Sequence, residues 1–260
     1  MSVVRRKGTD ELARMKRAGA IVADTLDMLA SMVRPGVTTS ALDRAAEAYI
    51  RSQGALPSFK GYEGYPASIC TSINDQVVHG IPSERALQDG DILSIDCGAI
   101  WEGYQGDAAI TVAIGEIPDD VWNLCETTRL ALEAGIAAVH DGARMGEVSH
   151  AIEQTALSRG CEVVREYGGH GIGRQMHEPP LISNWGSADE GMRMRAGMTF
   201  CLEPMLTLGD WPTRELEDGW TVVTADGRRS AHFEHTIVVT HEGAEILTPW
   251  QVPTRNGGKG

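Results

Sequence analysis

The chain has 260 residues, of which 42% are hydrophobic and 23% are charged, as is typical of a globular protein with one large core. Its formal net charge of −13 disfavours binding to a nucleic-acid backbone and suits a positively charged ligand such as a metal ion or an amine. Because no apolar run reaches about 18 residues, no helix is predicted to span a membrane. The five cysteines are scattered and form no C-x-x-C pair, which predicts reduced thiols in a cytoplasmic protein.

Two helices are predicted near the start of the chain. Apolar residues recur at helical spacing from residue 10 to residue 33, with Thr9 or Asp10 as the N-terminal cap. The segment TTSALDRAAEAYIRSQG then begins on a Ser/Thr cap and stops at Gly54. A folded domain is therefore expected from residue 10, preceded by a short extension at residues 1–9.

The same order of elements recurs later in the chain. Residues 119–139 again have helical periodicity, and a second helical segment follows that stops at Gly160. Gly36 and Gly142 are 106 positions apart, and so are Gly54 and Gly160. This repeat predicts two similar α/β halves related by a pseudo-twofold axis. The alternative is chance similarity between amphipathic helices, which share a composition.

Each half also contains an apolar strand that ends in an acidic residue. Asp96 ends the strand GDILSID, and Glu203 ends the strand GMTFCLE. A second acid follows in each half on a later strand, Asp107 in the first half and Glu234 within AHFEHTIVV in the second. A buried carboxylate without a partner is costly, so these acids require a counter-charge.

The spacing of the first pair of acids predicts that they share one face of a hairpin. Glu102–Gly103 is a favourable two-residue turn. Pairing across it places Asp96 opposite Ala109 and Gly98 opposite Asp107. Because side chains alternate along a strand, the two aspartates then lie diagonally adjacent. Two carboxylates this close repel each other unless one is protonated or a cation lies between them.

If the second half repeats the first, Glu203 and Glu234 face the aspartates from the other side. Four such carboxylates form a site for a divalent cation, and an imidazole adds affinity for transition metals. The candidate imidazoles are His170 and His177 in YGGHGIGRQMHEPP, where glycines allow a ligand to approach the backbone. Alone, each acid is more typical of a hydrogen-bonded strand residue and each histidine of a turn, so the hypothesis depends on their combination.

Several longer motifs, in order, resemble the methionine aminopeptidases of bacterial type I. They are GYEGYPASICTSINDQVVHGIP, GDILSIDCGAIWEGYQGDAA, YGGHGIGRQMHEPP, GMTFCLEPM and DGWTVVTADGRRSAHFEHTIVVT. The resemblance covers about residues 11–249. It implies the pita-bread fold, an α/β (α+β) fold with two pseudo-twofold-related halves around a curved antiparallel sheet. One catalytic domain at residues 10–249 and a flexible tail at residues 250–260 are expected.

The resemblance implies a centre of two divalent metal ions: cobalt, manganese, iron or zinc. The implied ligands are Asp96, Asp107, His170, Glu203 and Glu234. In the family, the residues matching Asp107 and Glu234 bridge the two ions, Asp96 chelates one ion, and His170 with Glu203 holds the other. Mixed carboxylate and imidazole ligands fit all four metals, so the sequence does not choose between them.

The resemblance also assigns catalytic roles and a substrate. His79 and His177 would flank the scissile peptide, His177 beside the developing oxyanion and His79 beside the leaving amide, while Glu203 would transfer a proton. The expected reaction is removal of the initiator methionine from nascent polypeptides that have a small second residue. The expected partners are nascent N-termini at the ribosome exit, with no sequence-specific nucleic acid and no membrane, and the protein is expected to be a monomer.

An apolar pocket for methionine is implied as well. Besides His79 and His177, its wall would include Phe59, Tyr62, Tyr65, Cys70, Met176 and Trp220. Met176 replaces a usual aromatic residue and Phe59 replaces a usually smaller one, which affects the shape of the pocket. The backbone of Asn74 and Ser230 matches positions that hold one monovalent cation in relatives.

Three alternative interpretations fit the sequence less well. Prolidases and aminopeptidases P share the fold but carry an additional N-terminal domain, whereas the first helix here begins near residue 10. A type II methionine aminopeptidase has an insert in its second half, and the run from His177 to Glu203 leaves little room for one. A non-catalytic binding protein on the same fold would lack metal ligands, all of which are present here.

Overall fold

The computed structural model describes residues 4–251. Within them it forms four α-helices, one 3-10 helix and fifteen strands. The helices are α1 (Thr9–Met32), α2 (Thr39–Ser52), α3 (Asp119–Ala137) and α4 (Met145–Ser158), and the 3-10 helix covers Tyr62–Gly64.

The strands are short except for two that form one long hairpin. In chain order they are β1 (Leu56–Pro57), β2 (Ile69–Ile73), β3 (Gln76–Val78), β4 (Ile92–Trp101), β5 (Tyr104–Ala113), β6 (Glu162–Val163), β7 (Gly168–Gly171), β8 (Glu178–Ser183), β9 (Thr199–Leu202), β10 (Met205–Thr207), β11 (Thr213–Glu215), β12 (Val222–Thr224), β13 (Ser230–His232), β14 (His235–Val239) and β15 (Ala244–Ile246).

All strand pairs are antiparallel, as predicted. In the first half, β4 pairs with β5 along one edge and with β1 and β2 along the other. The second half contributes a five-stranded sheet of order β15-β14-β9-β7-β8. Two three-stranded sheets, β13-β10-β6 and β11-β12-β3, complete the architecture. The helices cover these sheets, which gives the mixed α/β fold expected from the sequence.

The predicted repeat is visible in the backbone. Gly36 and Gly142 both adopt positive φ, 88° and 96°, after the first helix of each half. The amide of Gly36 donates to the carbonyl of Leu87 at 2.8 Å, and the amide of Gly142 donates to that of Met194 at 3.0 Å. The turn between α1 and α2 and the turn after α3 are therefore anchored in the same way, to the segments that precede β4 and β9, respectively.

Helix α1 lies directly on the central hairpin. A Cβ atom on Gly106 of β5 would lie 2.6 Å from the backbone nitrogen of Gly19, so helix and strand touch through two glycines. The same face of α1 buries its large apolar side chains, which are Met15, Ile21, Val22, Leu26 and Leu29. Burial of each such side chain contributes about 1.5–3 kcal/mol before the cost of ordering the chain.

The N-cap of helix α1 lies one residue before the predicted cap positions. Gly8, rather than Thr9 or Asp10, is the N-cap, and its amide donates to Oε2 of Glu11 at 2.9 Å. The Glu11 side chain thus binds an amide at the helix start, where its negative charge also suits the helix dipole.

Residues on both sides of the predicted domain limits pack on the domain. Lys7 is buried, and its Nζ lies 2.6 Å from Oε2 of Glu178. Trp250 stacks on His235 with ring centroids 4.2 Å apart. The rest of the predicted tail, residues 252–260, lies outside the described residues.

In residues 4–251, no helix is both long and apolar enough to cross a membrane. The cysteines are buried free thiols, namely Cys70, Cys97, Cys125, Cys161 and Cys201.

Candidate active site

The hairpin β4–β5 holds the first pair of acids in the predicted register. Glu102–Gly103 forms its two-residue turn, with φ of 46° and 78°. Asp96 is paired with Ala109, and Gly98 with Asp107. The two aspartates therefore share one face of the hairpin, as predicted.

The second pair of acids, Glu203 and Glu234, lies where the pairing of antiparallel strands in the second half is interrupted. The pairing of β14 with β9 ends at His235 opposite Leu202, and the pairing of β13 with β10 resumes at His232 opposite Met205. Glu203 and Glu234 occupy the gap between these ladders.

The expectation that Glu234 lies on a continuous strand is wrong, and its backbone contacts explain why. The Glu234 amide donates to the carbonyl of Ala109 on β5 at 2.9 Å. Its own carbonyl accepts a hydrogen bond from the indole Nε1 of Trp250 at 2.9 Å. Both backbone groups of Glu234 are thus bonded outside the β9–β14 ladder, so the strand breaks and Glu234 joins the second half to the first.

His170 on β7 is oriented for metal binding. Its Nδ1 lies 3.0 Å from the carbonyl of Gly171, so Nδ1 carries the proton and Nε2 keeps a free lone pair. Nε2 faces two acids, at 3.5 Å from Oε1 of Glu203 and 3.9 Å from Oδ2 of Asp107. Burial, followed by the nearby His177 ring, lowers the pKa of His170 to about 4, so its imidazole is neutral at pH 7.

The ligand atoms of Asp107, His170, Glu234 and Cys201 lie within 4.8 Å of one another. The sequence analysis missed Cys201. The strand GMTFCLE did contain the signal, because alternation along a strand places residues two apart on the same face, and Cys201 precedes Glu203 by two.

The electrostatics of the four carboxyl groups favour a cation. Burial raises the pKa of Asp96 to about 7. Burial, and then the charge of neighbouring carboxylates, raises the pKa of Asp107, Glu203 and Glu234 well above the ordinary range. Among these four carboxyl groups, three buried oxygens have no hydrogen-bond partner in the described part of the chain: Asp96 Oδ1, Asp107 Oδ1 and Glu234 Oε1. Unpartnered acceptors beside a free imidazole nitrogen fit bound divalent metal ions.

All the side chains predicted for the metal centre, catalysis and the methionine pocket line one cavity of about 280 Å³. They are Phe59, Tyr62, Tyr65, Cys70, His79, Asp96, Asp107, His170, Met176, His177, Glu203, Trp220 and Glu234. The cavity wall also includes residues that the sequence analysis did not select, namely Glu63, Val78, Glu166, Tyr167, Gly168, Leu181 and Met205.

Asn74 and Ser230 lie outside the lining of this cavity but are in contact with each other. The amide of Ser230 donates to the carbonyl of Asn74 at 2.9 Å. The monovalent cation implied near their backbones stays a prediction.

His79 is held on the cavity wall by its backbone. It has a positive φ of 60°, which is uncommon outside glycine. The next residue, Gly80, presents its carbonyl to the hydroxyl of Tyr65 at 3.0 Å and to the amide of Thr71 at 2.7 Å. Burial, followed by the nearby His177, lowers the pKa of His79 to about 4, so the ring is neutral at pH 7.

His177 lies beside the candidate metal ligands. Its ring centroid is 4.3 Å from that of His170, with the rings edge to face. Its Nδ1 lies 2.8 Å from the hydroxyl of Tyr62. Burial lowers the pKa of His177 below its ordinary value. A neutral ring that accepts the Tyr62 proton at Nδ1 carries its own proton on Nε2.

Gly98 allows the apolar part of the cavity to form. A Cβ atom there would lie 2.9 Å from Cε1 of Phe59 and 3.1 Å from Cε of Met176. The absence of a side chain therefore lets these two buried residues pack beside the aspartate hairpin. The resulting surface is apolar on one side and carboxylate-rich on the other.

The sequence and fold were compared with known proteins. Residues 13–241 match the model of metallopeptidase family M24. The chain is 50% identical over 253 residues to methionine aminopeptidase 1 of Mycobacterium tuberculosis, with 95% of each chain covered. It is 48% identical to methionine aminopeptidase 1 of Bacillus subtilis, over 92% of this chain and 96% of the other. A methionine aminopeptidase structure from Thermotoga maritima superposes with a TM-score of 0.94 at 44% identity, over 95% and 99% of the two chains.

The chain therefore belongs to metallopeptidase family M24. Within that family, the relatives it matches at this level of identity are methionine aminopeptidases, which confirms the resemblance and the pita-bread fold inferred from its motifs. The protein is accordingly a metallopeptidase hydrolase rather than a non-catalytic binding protein.

Proposed function

We propose that the protein removes the initiator methionine from nascent polypeptides with a small second residue, in the cytoplasm and with two divalent metal ions. The observation that carries this proposal is the single cavity that collects the acids, His170, both candidate catalytic histidines and an apolar wall.

The residues present suit a dinuclear centre. Asp107 and Glu234 come from different halves and would bind both ions, Asp96 would bind one ion, and His170 with Glu203 would bind the other. The unpartnered buried oxygens and the free Nε2 of His170 support this assignment. When bound, the ions lower the pKa of water and polarise a carbonyl group.

Glu203 is suited to transfer the proton. It borders the cavity and lies 3.5 Å from the His170 ring. A carboxylate here can take a proton from the attacking water and deliver it to the nitrogen that leaves when the peptide bond breaks. Burial favours its protonated form, which assists its second role as an acid.

His177 and His79 serve as neutral hydrogen-bonding groups. With Nδ1 occupied by Tyr62, His177 can donate from Nε2 to the oxygen that gains charge in the transition state. His79, held by the Gly80 backbone, can bond the amide of the leaving residue. Because both rings are neutral near pH 7, neither repels a nearby metal ion as an imidazolium would.

Substrate selection follows from the two sides of the cavity. The apolar wall of Phe59, Met176 and Cys70 accommodates the unbranched methionine side chain, while the acids and their metal ions favour a free amine over a blocked one. The second substrate residue must fit beside His79 and His177, which restricts it to small side chains.

The proposal also includes the expected binding partners, oligomeric state and monovalent cation. Nascent N-termini would be met at the ribosome exit, the protein would act as a monomer, and one monovalent cation would bind near Asn74 and Ser230.

The test is methionine release by purified protein freed of metal with a chelator. Addition of Co²⁺ or Mn²⁺ should restore release of free methionine from Met-Ala-Ser, measured by chromatography. N-acetylated Met-Ala-Ser is the matched control and should stay intact. The proposal is contradicted if the reconstituted protein leaves Met-Ala-Ser intact, or if it cleaves the acetylated peptide equally well.

A further inference from the structure

Four residues form a row at the candidate metal centre, three on neighbouring strands of the five-stranded sheet and the fourth on β5 of the first half. In the strand register, Cys201 of β9 is paired with His170 of β7 on one side and with Thr236 of β14 on the other. Asp107 of β5 follows, because its amide donates to Oγ1 of Thr236 at 3.1 Å. We call His170, Cys201, Thr236 and Asp107 the ligand row. Its two ends are candidate metal ligands, and its two inner members have no role in the proposed reaction.

The hydrogen bonds within the ligand row have a defined direction. Oγ1 of Thr236 donates its single proton to the carbonyl of Asp107 at 2.7 Å. It must then act as acceptor towards the Asp107 amide and towards Sγ of Cys201, which lies 3.5 Å away. The Cys201 thiol is therefore the donor in its contact with Thr236.

One hydroxyl thus fixes both backbone groups of Asp107. Thr236 and Asp107 belong to different halves of the chain and are 129 residues apart in sequence. The Glu234 amide, two residues before Thr236, donates to the carbonyl of Ala109, two residues after Asp107, so both candidate bridging acids lie at the same junction of the halves. Thr236 and Cys201 are both fully buried, so water cannot replace these hydrogen bonds.

We infer that Thr236 and Cys201 are positioning residues for the metal centre: Thr236 fixes Asp107 relative to His170, and Cys201 orients the Thr236 hydroxyl. This inference rests on the proposed dinuclear site. At the two ends of the ligand row, Nε2 of His170 and Oδ2 of Asp107 lie 3.9 Å apart. Partners of this kind orient ligands without binding the metal themselves.

The first test replaces Thr236. Thr236→Val keeps the shape of the side chain but removes the hydroxyl, whereas Thr236→Ser keeps the hydroxyl. We expect Thr236→Val to weaken Co²⁺ binding about 10- to 100-fold, measured by calorimetric titration, and Thr236→Ser to stay close to wild type. Wild-type Co²⁺ affinity in Thr236→Val would overturn the inference.

Thr111 provides a matched control for general destabilisation. Its Oγ1 makes the same pair of bonds at the same junction, accepting from the amide of His232 at 3.0 Å and donating to its carbonyl at 2.8 Å. Thr111→Val should lower the melting temperature of the metal-free protein by about as much as Thr236→Val, with a much smaller loss of Co²⁺ affinity. Equal losses of affinity in both variants would assign Thr236 a merely structural role and overturn the inference.

The second test asks whether Cys201 positions Thr236 or binds metal directly, since Sγ belongs to the 4.8 Å cluster. Cys201→Ser retains a donor and should keep Co²⁺ affinity near wild type, whereas Cys201→Ala should weaken it. A thiolate-to-cobalt absorption band in the wild type that disappears in Cys201→Ser would make Cys201 a ligand and overturn its positioning role.

These measurements separate the inference from the proposed function. Wild-type protein that binds Co²⁺ and shows the expected affinity losses, yet releases no methionine, would contradict the peptidase proposal and leave the positioning role intact. Methionine release by the wild type, with unchanged Co²⁺ affinity in Thr236→Val, would support the peptidase proposal and overturn the positioning role.

Discussion

The hydroxyl of Tyr62 lies 2.8 Å from Nδ1 of His177. This contact orients the His177 ring, whose centroid is 4.3 Å from that of the candidate ligand His170. His177 is therefore close to the candidate metal centre, and its Nδ1 is already hydrogen-bonded to Tyr62, which leaves Nε2 as the nitrogen available to the cavity.

The first prediction concerns the two candidate catalytic histidines. His79→Ala and His177→Ala should each keep both metal ions and lose turnover by about 10²-fold or more, since each removes an aligned hydrogen-bonding group. Metal content by elemental analysis and kcat for Met-Ala-Ser are the measurements. Loss of metal from either variant would make that histidine a ligand instead.

The second prediction concerns Asp107, the candidate bridging ligand nearest to both His170 and Asp96. Asp107→Ala should abolish activity and occupancy of the dinuclear site. Asp43→Asn is the control, because Asp43 is an acid of the same half that accepts bonds from the amides of Ser68 and Ile69. The Asp43→Asn protein should retain metal even if the substitution lowers its stability. Full activity of Asp107→Ala at trace metal concentration would refute the bridging assignment.

The third prediction concerns the second residue of the substrate. His79, His177 and the loop around Tyr62 restrict the space beside the metal centre. Peptides beginning Met-Gly, Met-Ala and Met-Ser should therefore be cleaved, with little cleavage of those beginning Met-Leu, Met-Lys or Met-Glu. A peptide panel at equal concentration measures kcat/KM. Equal values for Met-Ala-Ser and Met-Lys-Ser would show that the site is not restricted, even if methionine is still preferred.

The fourth prediction couples metal binding to protons. In the metal-free protein, burial raises the pKa of Asp96 to about 7, and burial with neighbouring carboxylates raises the pKa of Asp107, Glu203 and Glu234 well above the ordinary range, so the cluster holds protons near neutral pH. Divalent ions must displace these protons, so binding should release protons and the apparent affinity should rise as pH rises from 6 to 8. Calorimetric titration of Mn²⁺ in two buffers of different ionisation enthalpy measures the release. Proton uptake on binding, or an affinity that falls with pH, would contradict it.

The sequence by itself determined the features that depend on residues close together in the chain, such as turns and helical periodicity. The turn at Glu102–Gly103 fixes the register of the hairpin, because a two-residue connection there leaves Asp96 opposite Ala109. The repeated glycines and helical periods likewise indicated two similar halves. The order of the acidic and histidine motifs then indicated the family, which the relatives confirm.

Only the tertiary structure decided where long-range hydrogen bonds replace the local pattern. The segment AHFEHTIVV has the composition of one continuous strand, yet Ala109 and Trp250 bind the backbone of Glu234 and interrupt it. Thr236 and Cys201 look like ordinary strand residues, and their place between His170 and Asp107 follows from pairing between distant strands. The sequence specifies which groups can donate or accept a hydrogen bond. Which donor meets which acceptor is decided only when the two halves fold together. Asp107 and Thr236, for example, are hydrogen-bonded although they are more than a hundred residues apart in sequence.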